Sequence, residues 1–374
     1  MDAPPQAWPQ GLVICLPDRD AAATTQAEIE SYQAALGLPG IAQIGLDTTG
    51  PQALLSLRLA AEPFKALCDG FDTLGLRARL AAEGQADGGD ALLRETWVAL
   101  LAAPQQLAFV TVAELQSHLR IRCHIARAAQ KTALAFHTSA MERPAEFWVY
   151  DEERGFLLSP GADLVSALIA ATQPEATGRR YDFSCYRATE YVILLGIAQE
   201  AQAHAPALYQ QLVALNRHTC IKSGRFHDTY LVEYGTVDRP LPMRFYVPGD
   251  RVWFKNPDEA SADVSGYEGS WVIYLGGGLF SNFWELDQPY TMAHKALEIY
   301  HWRHGTRTDA DSELQMDEAR VAELVRRSQA QPQELERIVS RMTRYRDPAG
   351  VYAQGGCVDA SREFVLPLAR LRLP

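Results

Sequence analysis

The chain has 374 residues, of which 47% are hydrophobic and 22% charged, and a formal net charge of -11. This is the composition of an ordinary globular protein, long enough for two domains or for one large domain with elaborations. No apolar run reaches bilayer-spanning length, and the acidic balance disfavours a phosphate backbone as the main partner, so neither membrane nor nucleic acid is expected.

The N-terminus, Met1-Asp2-Ala3-Pro4-Pro5, lacks the basic and apolar regions of a secretory signal. The six cysteines (Cys15, Cys68, Cys123, Cys185, Cys220, Cys357) never fall at a CxxC spacing and are too scattered for a disulfide framework. A cytoplasmic, reducing setting is the expectation, with export by a signal-less route as the alternative. Leu12-Val13-Ile14-Cys15-Leu16 is a strand candidate, and Ala21 to Leu36 and Gln52 to Cys68 carry helical spacing. The polar, Gly-rich segment Glu83 to Asp90 reads as a loop or boundary. Thr111-Val112-Ala113-Glu114 is a capping-box pattern that opens a helix running to about His137. Pro144 to Trp148, a turn at Glu152 to Gly155, Phe156 to Leu158 and a short helix over Asp163 to Ala171 follow.

Next comes Tyr181-Asp182-Phe183-Ser184-Cys185-Tyr186-Arg187-Ala188, continued by an apolar run from Thr189 to Ala198 with no period-two alternation. The run predicts a helix buried on nearly every side, with Ser184 as N-cap and Cys185 in the first turn. Free N–H groups and the positive dipole end there favour a thiolate. The plain alternative is a small apolar residue at a helix end. Beyond Pro206 a helix covers Ala207 to Leu215. Strands are then expected at Thr229–Tyr234, Met243–Val247, Arg251–Phe254, Trp271–Leu275 and Leu279–Trp284, as an antiparallel meander. Helices are expected over Tyr290–His301, Asp317–Gln329 and Gln333–Tyr345, then a turn at Asp347-Pro348-Ala349-Gly350 and a strand from Glu363 to Leu373.

A helix, a cysteine-capped helix and a meander is the order of the papain-like NlpC/P60 fold. Pro248-Gly249-Asp250-Arg251-Val252-Trp253-Phe254 and Ser270 to Gly278 resemble successive strands of it. Ala145-Glu146-Phe147-Trp148, Gly155-Phe156-Leu157-Leu158, Tyr181 with Cys185 and Ala188, Pro248-Gly249-Asp250 with Phe254, Asn256-Pro257-Asp258, and Gly269 with Val272-Ile273 stand in order over roughly residues 110 to 305. This set resembles the spore-coat-type bacterial transglutaminases.

The resemblance implies acyl transfer. A thiolate of Cys185 attacks a glutamine side-chain amide, ammonia leaves, and a lysine amine or water takes the acyl group. It implies a protein or peptide substrate bearing Gln, with a Lys amine acceptor, and no cofactor. The family's glutamate falls on Ser270, which cannot take a proton from a thiol near neutral pH. The family's acidic residue just before the cysteine is replaced here by Ser184, and the polar residue of the family's next strand falls near Asn282, which could serve as an orienting member.

Glu268, two residues before Ser270 and on the same face of a regular strand, is the leading substitute base. The alternative is an ordinary turn carboxylate. His218 is the second candidate, against a plain helix C-terminal histidine. Arg187 could lower the thiol pKa or bind an acidic substrate group, or could face solvent. His294 reads as a packing residue. His301-Trp302-Arg303-His304 lacks further ligands, so no metal is expected. Gly276-Gly277-Gly278 lacks the Lys-Ser/Thr of a phosphate loop.

The expected architecture is α+β: an accessory α/β or helical region over 1–105, a papain-like, NlpC/P60-type domain over 106–310, and a helical C-terminal extension over 311–374. The expected function is Cys-dependent acyl transfer on glutamine, with Cys185 and Glu268 catalytic and Asn282 orienting, while Ser270, Arg187 and His218 line the site. The alternatives are an inactive, transglutaminase-like binding or scaffold protein, and a secreted effector that modifies glutamines of a target protein.

Overall fold

The computed structural model describes residues 8–82, 90–136, 141–221, 223–308, 313–348 and 355–373. The Gly-rich stretch 83–89, His137 and part of the Asp347–Gly350 turn lie outside them.

Strand β1 (Leu12–Cys15) and helix α1 (Ala21–Ala35) form where the apolar run and the helical spacing predict them. The next stretch differs. Leu54–Leu59 is a strand (β3) that pairs antiparallel with β1 and with β2 (Ala42–Asp47), and only Ala61–Cys68 (α2) is helical. Leu55, Leu57 and Leu59 point inward while Arg58 is exposed, so period two prevails once two neighbours supply the ladder. Helices α3 (Leu76–Ala82) and α4 (Ala91–Leu101) follow, and β4 (Leu107–Phe109) joins β1 in parallel, giving the order β2-β3-β1-β4.

Thr111 caps α5 (Val112–Lys131) by accepting from the Glu114 N–H, while the Glu114 carboxylate accepts from Val110 rather than closing the reciprocal box. The helix ends at Lys131, short of the expected His137, and β5 (Ala135–Phe136) pairs in parallel with β8 (Asp182–Phe183). Between them lie the hairpin β6 (Trp148–Asp151) and β7 (Gly155–Leu158), α6 (Leu164–Thr172) and α7 (Pro174–Thr177). The long helix α8 (Cys185–His204) then leads to α9 (Pro206–His218), α10 (Ser223–Tyr230) and β9 (Leu231–Tyr234).

Residues 243–247, read as a strand, are irregular, with Phe245, Tyr246 and Val247 buried and Arg244 exposed. Tyr246 exchanges hydrogen bonds with the Thr73 hydroxyl, and Val247 N–H donates to the Asp250 carboxylate, so side chains replace a ladder. Strand β10 (Arg251–Lys255), α11 (Glu259–Ala262), β11 (Gly269–Gly276), β12 (Leu279–Phe280) and β13 (Tyr290–Thr291) follow. The chain closes with α12 (Met292–Gly305), the hairpin β14 (Thr306–Thr308) and β15 (Leu314–Met316), α13 (Glu318–Gln329), α14 (Pro332–Met342) and β16 (Arg362–Val365). The larger sheet has the order β13-β12-β11-β10-β16-β9. It is a meander interrupted once, where β16 from the tail slots antiparallel between β10 and β9.

This sheet separates two cores. Ile273 and Leu275 face α5, α6 and α8; Val252, Phe254, Val272 and Tyr274 face α12, α13 and α14. A further core joins the β1–β4 sheet to α1, α4 and the start of α5, and it reaches Phe364 of β16. Helices α5 and α8 cross closely at Gly196, where a Cβ would lie 2.9 Å from the Ile125 backbone nitrogen. Arg122 of α5 donates to the Asp250 carboxylate at 2.7 Å with both side chains fully buried, which fixes the Pro248-Gly249-Asp250 turn and so the start of β10.

Candidate active site

Helix α8 begins as its sequence predicts. The Ser184 hydroxyl accepts from the Arg187 N–H at 3.3 Å, leaving Cys185 as the first helical residue. Against it lies the open end of β11. Ser281 N–H donates to Ile273 O and Ile273 N–H to the Ser281 hydroxyl, both at 2.9 Å, and the β12 side of the ladder reaches no further. Two residues earlier on the same edge, the Trp271 N–H is left over, and it donates to the Cys185 sulfur. The Tyr186 N–H acts on the sulfur as well, and Lys295 and Arg251 bring positive charge toward it.

The net effect on the thiol is nevertheless upward. Burial of the partly accessible Cys185 outweighs the two backbone donors and the two cations, so its pKa is raised above the ordinary thiol value. The expectation that the helix N-terminus makes a thiolate is therefore corrected: in the resting molecule desolvation holds the sulfur as a thiol.

Around the sulfur the aromatic and charged residues form one cluster. The Arg251 guanidinium lies 4.1 Å from the Tyr186 ring centre and 4.3 Å from that of Trp271, and the two rings meet edge to face. Trp253 packs on Trp271 and over Gly269, where any Cβ would collide with the indole at 2.5 Å. Glu363 of β16 is 3.1 Å from Arg251, and Glu190 of α8 pairs with Arg187 at 2.6 Å. Burial raises the Glu190 carboxyl to about 7, with Arg187 and Arg251 pulling the other way. Lys295 is buried on α12, bound to Glu298 at 2.5 Å and lying over the Tyr290 ring.

A family model described as protein-glutamine gamma-glutamyltransferase matches residues 79–355, most of the chain. The chain belongs to the protein-glutamine gamma-glutamyltransferase family. Among solved structures, a transglutaminase from Geobacillus stearothermophilus without its C-terminal extension is similar at 19% identity and a TM-score of 0.40, covering 57% of this chain and 98% of that one. No curated protein matches the chain.

The transglutaminase-family residues singled out in the sequence do not all converge. Ser270 is buried, and strand alternation puts it on the face of Val272 and Tyr274, toward α12, while Trp271 and Ile273 face α8. Glu268 is exposed at the bend before β11, and its carboxylate accepts from the Gly266 N–H at 3.5 Å. Asn282 shapes the loop after β12, accepting from the Trp284 and Glu285 N–H groups and donating to Gln288 O. Arg187 turns from Cys185 to Glu190 and to the Ile221 carbonyl. His218 is the exposed last residue of α9. Asn256-Pro257-Asp258 forms a latch: Asn256 donates to the Ser261 hydroxyl and Tyr267 O, and Asp258 caps α11. His301 is bonded to the Ser328 hydroxyl at 2.8 Å inside the α12–α13 contact.

Arg251, Trp271, Lys295, Glu190 and Glu363 carry no site role in the sequence reading. Two left a legible signal: an arginine alternating with Trp253 in an apolar strand, and a glutamate inside the apolar run of α8.

Proposed function

We propose that the protein is a cysteine-dependent acyltransferase acting on glutamine side chains of proteins or peptides, with Cys185 as nucleophile. Family membership gives the acyl donor class. The observation that carries the reading is the Cys185 sulfur at the N-terminus of α8, accepting the otherwise unused Trp271 edge donor, with Arg251 and Lys295 acting on it. In this reading the papain-like arrangement is the pairing of α8 with the open end of β11.

A resting thiol is compatible with the chemistry. Sulfur attacks the amide carbon, the C–N bond breaks, and the thiol proton leaves with nitrogen as ammonia, so thioester formation balances without outside acid. A lysine amine, or water, then attacks the thioester, and the sulfur regains a proton from that nucleophile. Glu268 is assigned the relay of these protons from its exposed place at the entrance to β11, with Asn282 holding the neighbouring loop. Ser270, which faces α12, Arg187, which turns to Glu190, and His218, exposed at the end of α9, are given no step in this chemistry.

The experiment is amine incorporation into a glutamine-bearing protein, with ammonia release measured alongside. Wild type is expected to be active and Cys185→Ala inactive, while Glu268→Gln loses about 10²-fold in kcat. Full activity in Cys185→Ala would refute the nucleophile. Wild-type kcat in Glu268→Gln would remove that residue from the relay.

A second reading, a binding or scaffold protein, is favoured by one observation: the position that the resemblance gives to the glutamate is a buried serine facing away from α8. Absence of both transfer and ammonia release in the same assay, with intact fold, would select it.

A further inference from the structure

The Arg251 side chain is fully buried, and none of its three guanidinium nitrogens has a hydrogen-bond partner among the described residues. Its contact with Glu363 is close but unaligned, and Glu363 Oε2 and Glu190 Oε1 are likewise buried without hydrogen-bond partners. A charge buried without hydrogen bonds is less favourable than an apolar residue of the same volume, so holding β10 in the sheet does not account for an arginine here. What the arginine does contribute is a flat cation against two rings. Those rings belong to Tyr186 and Trp271, the same residues whose backbone N–H groups hold the Cys185 sulfur.

Resting on the reading of Cys185 as nucleophile, we infer that Arg251 is a positioning residue for it. Seated in the corner where the Tyr186 and Trp271 rings meet edge to face, the guanidinium locks the first turn of α8 to the open edge of β11 and keeps both backbone donors on the sulfur. Its charge also favours the thiolate as the thioester is made and broken. The groups that face this cation are Arg187 and Glu190 from α8 and Glu363 from β16, the last also 3.4 Å from His227 of α10; Lys295 of α12 acts on the sulfur independently. Lysine cannot replace arginine in this role, because an ammonium keeps the charge and loses the broad, flat group that reaches both rings at once.

The test compares wild type with Arg251→Lys and with Arg251→Met/Glu363→Gln, a pair that leaves no unmatched charge at these two positions. The first readout is iodoacetamide labelling of Cys185 across pH, followed by peptide mass spectrometry; it needs no substrate. The second is kcat and KM for amine incorporation. In the double variant the labelling midpoint is expected to rise by about one pH unit, a tenfold slowing at a fixed pH below it. Its kcat is expected to fall at least about tenfold, with KM little changed and thermal stability equal to wild type or higher. Arg251→Lys should recover most of the labelling midpoint while kcat stays low.

A folded double variant with wild-type labelling and kcat would overturn the inference. Should the double variant not fold, wild-type values of both readouts in Arg251→Lys would overturn it equally. An inactive wild type would remove the acyl-transfer reading alone, because the labelling profile still judges Arg251.

Discussion

At the scale of single residues, the candidate site is a contest between desolvation and local donors. The helix N-terminus, two N–H groups and two cations all favour a charged sulfur, yet burial outweighs them. The same contest governs Glu190, with a consequence for stability. Its carboxyl is raised from 4.5 to about 7, so below about 4.5 both folded and unfolded states hold the proton and stability is unaffected. As pH rises toward 7 the unfolded chain ionises first, and the folded state loses on the order of 3 kcal/mol, fully developed above that pH. Glu190→Gln should therefore flatten the decline in urea-unfolding free energy between pH 5 and 7.5. An unchanged slope would show that the carboxyl ionises normally in the folded protein.

At the scale of elements, the fit of α8 against α5 decides where the cysteine stands. The capped start of α8 is local chemistry, but its placement depends on Gly196 meeting Ile125. Gly196→Ala puts a Cβ 2.5 Å from Ile125 Cγ1. Overpacking of about 1–3 kcal/mol should exceed the roughly 1 kcal/mol that alanine gains in helix propensity. The expected outcome is a lower urea midpoint with an unchanged m-value. A midpoint raised above wild type would mean that the crossing has slack.

Across the whole molecule, the tail and the first hundred residues meet behind the site. Phe364 of β16 is buried in the core shared with the N-terminal sheet, beneath the Arg122 guanidinium at 4.3 Å and beside Tyr234 at 4.4 Å. Phe364→Ala should cost about 3–5 kcal/mol in denaturant unfolding and should slow amine incorporation through the displaced β10. A loss below about 1 kcal/mol would show that the cavity collapses without strain, as some sites do.

Capping and periodicity are properties of neighbouring residues, so the sequence by itself determined the Ser184-capped helix with Cys185 at its head, the Thr111 cap of α5, and most of the strands of the larger sheet. Its helical spacing over 52–68 gave way at Leu54–Leu59, because β1 and β2 offer ladder partners that no local window contains. Only the tertiary structure decided that β16 enters between β9 and β10, that Ser270 turns from α8, and that Tyr186, Trp271 and Arg251 gather at the sulfur with Glu363 against the arginine. Those four residues come from three strands and a helix, and what brings them together is burial and strand alternation acting over long range, which leave no mark in the order of residues along the chain.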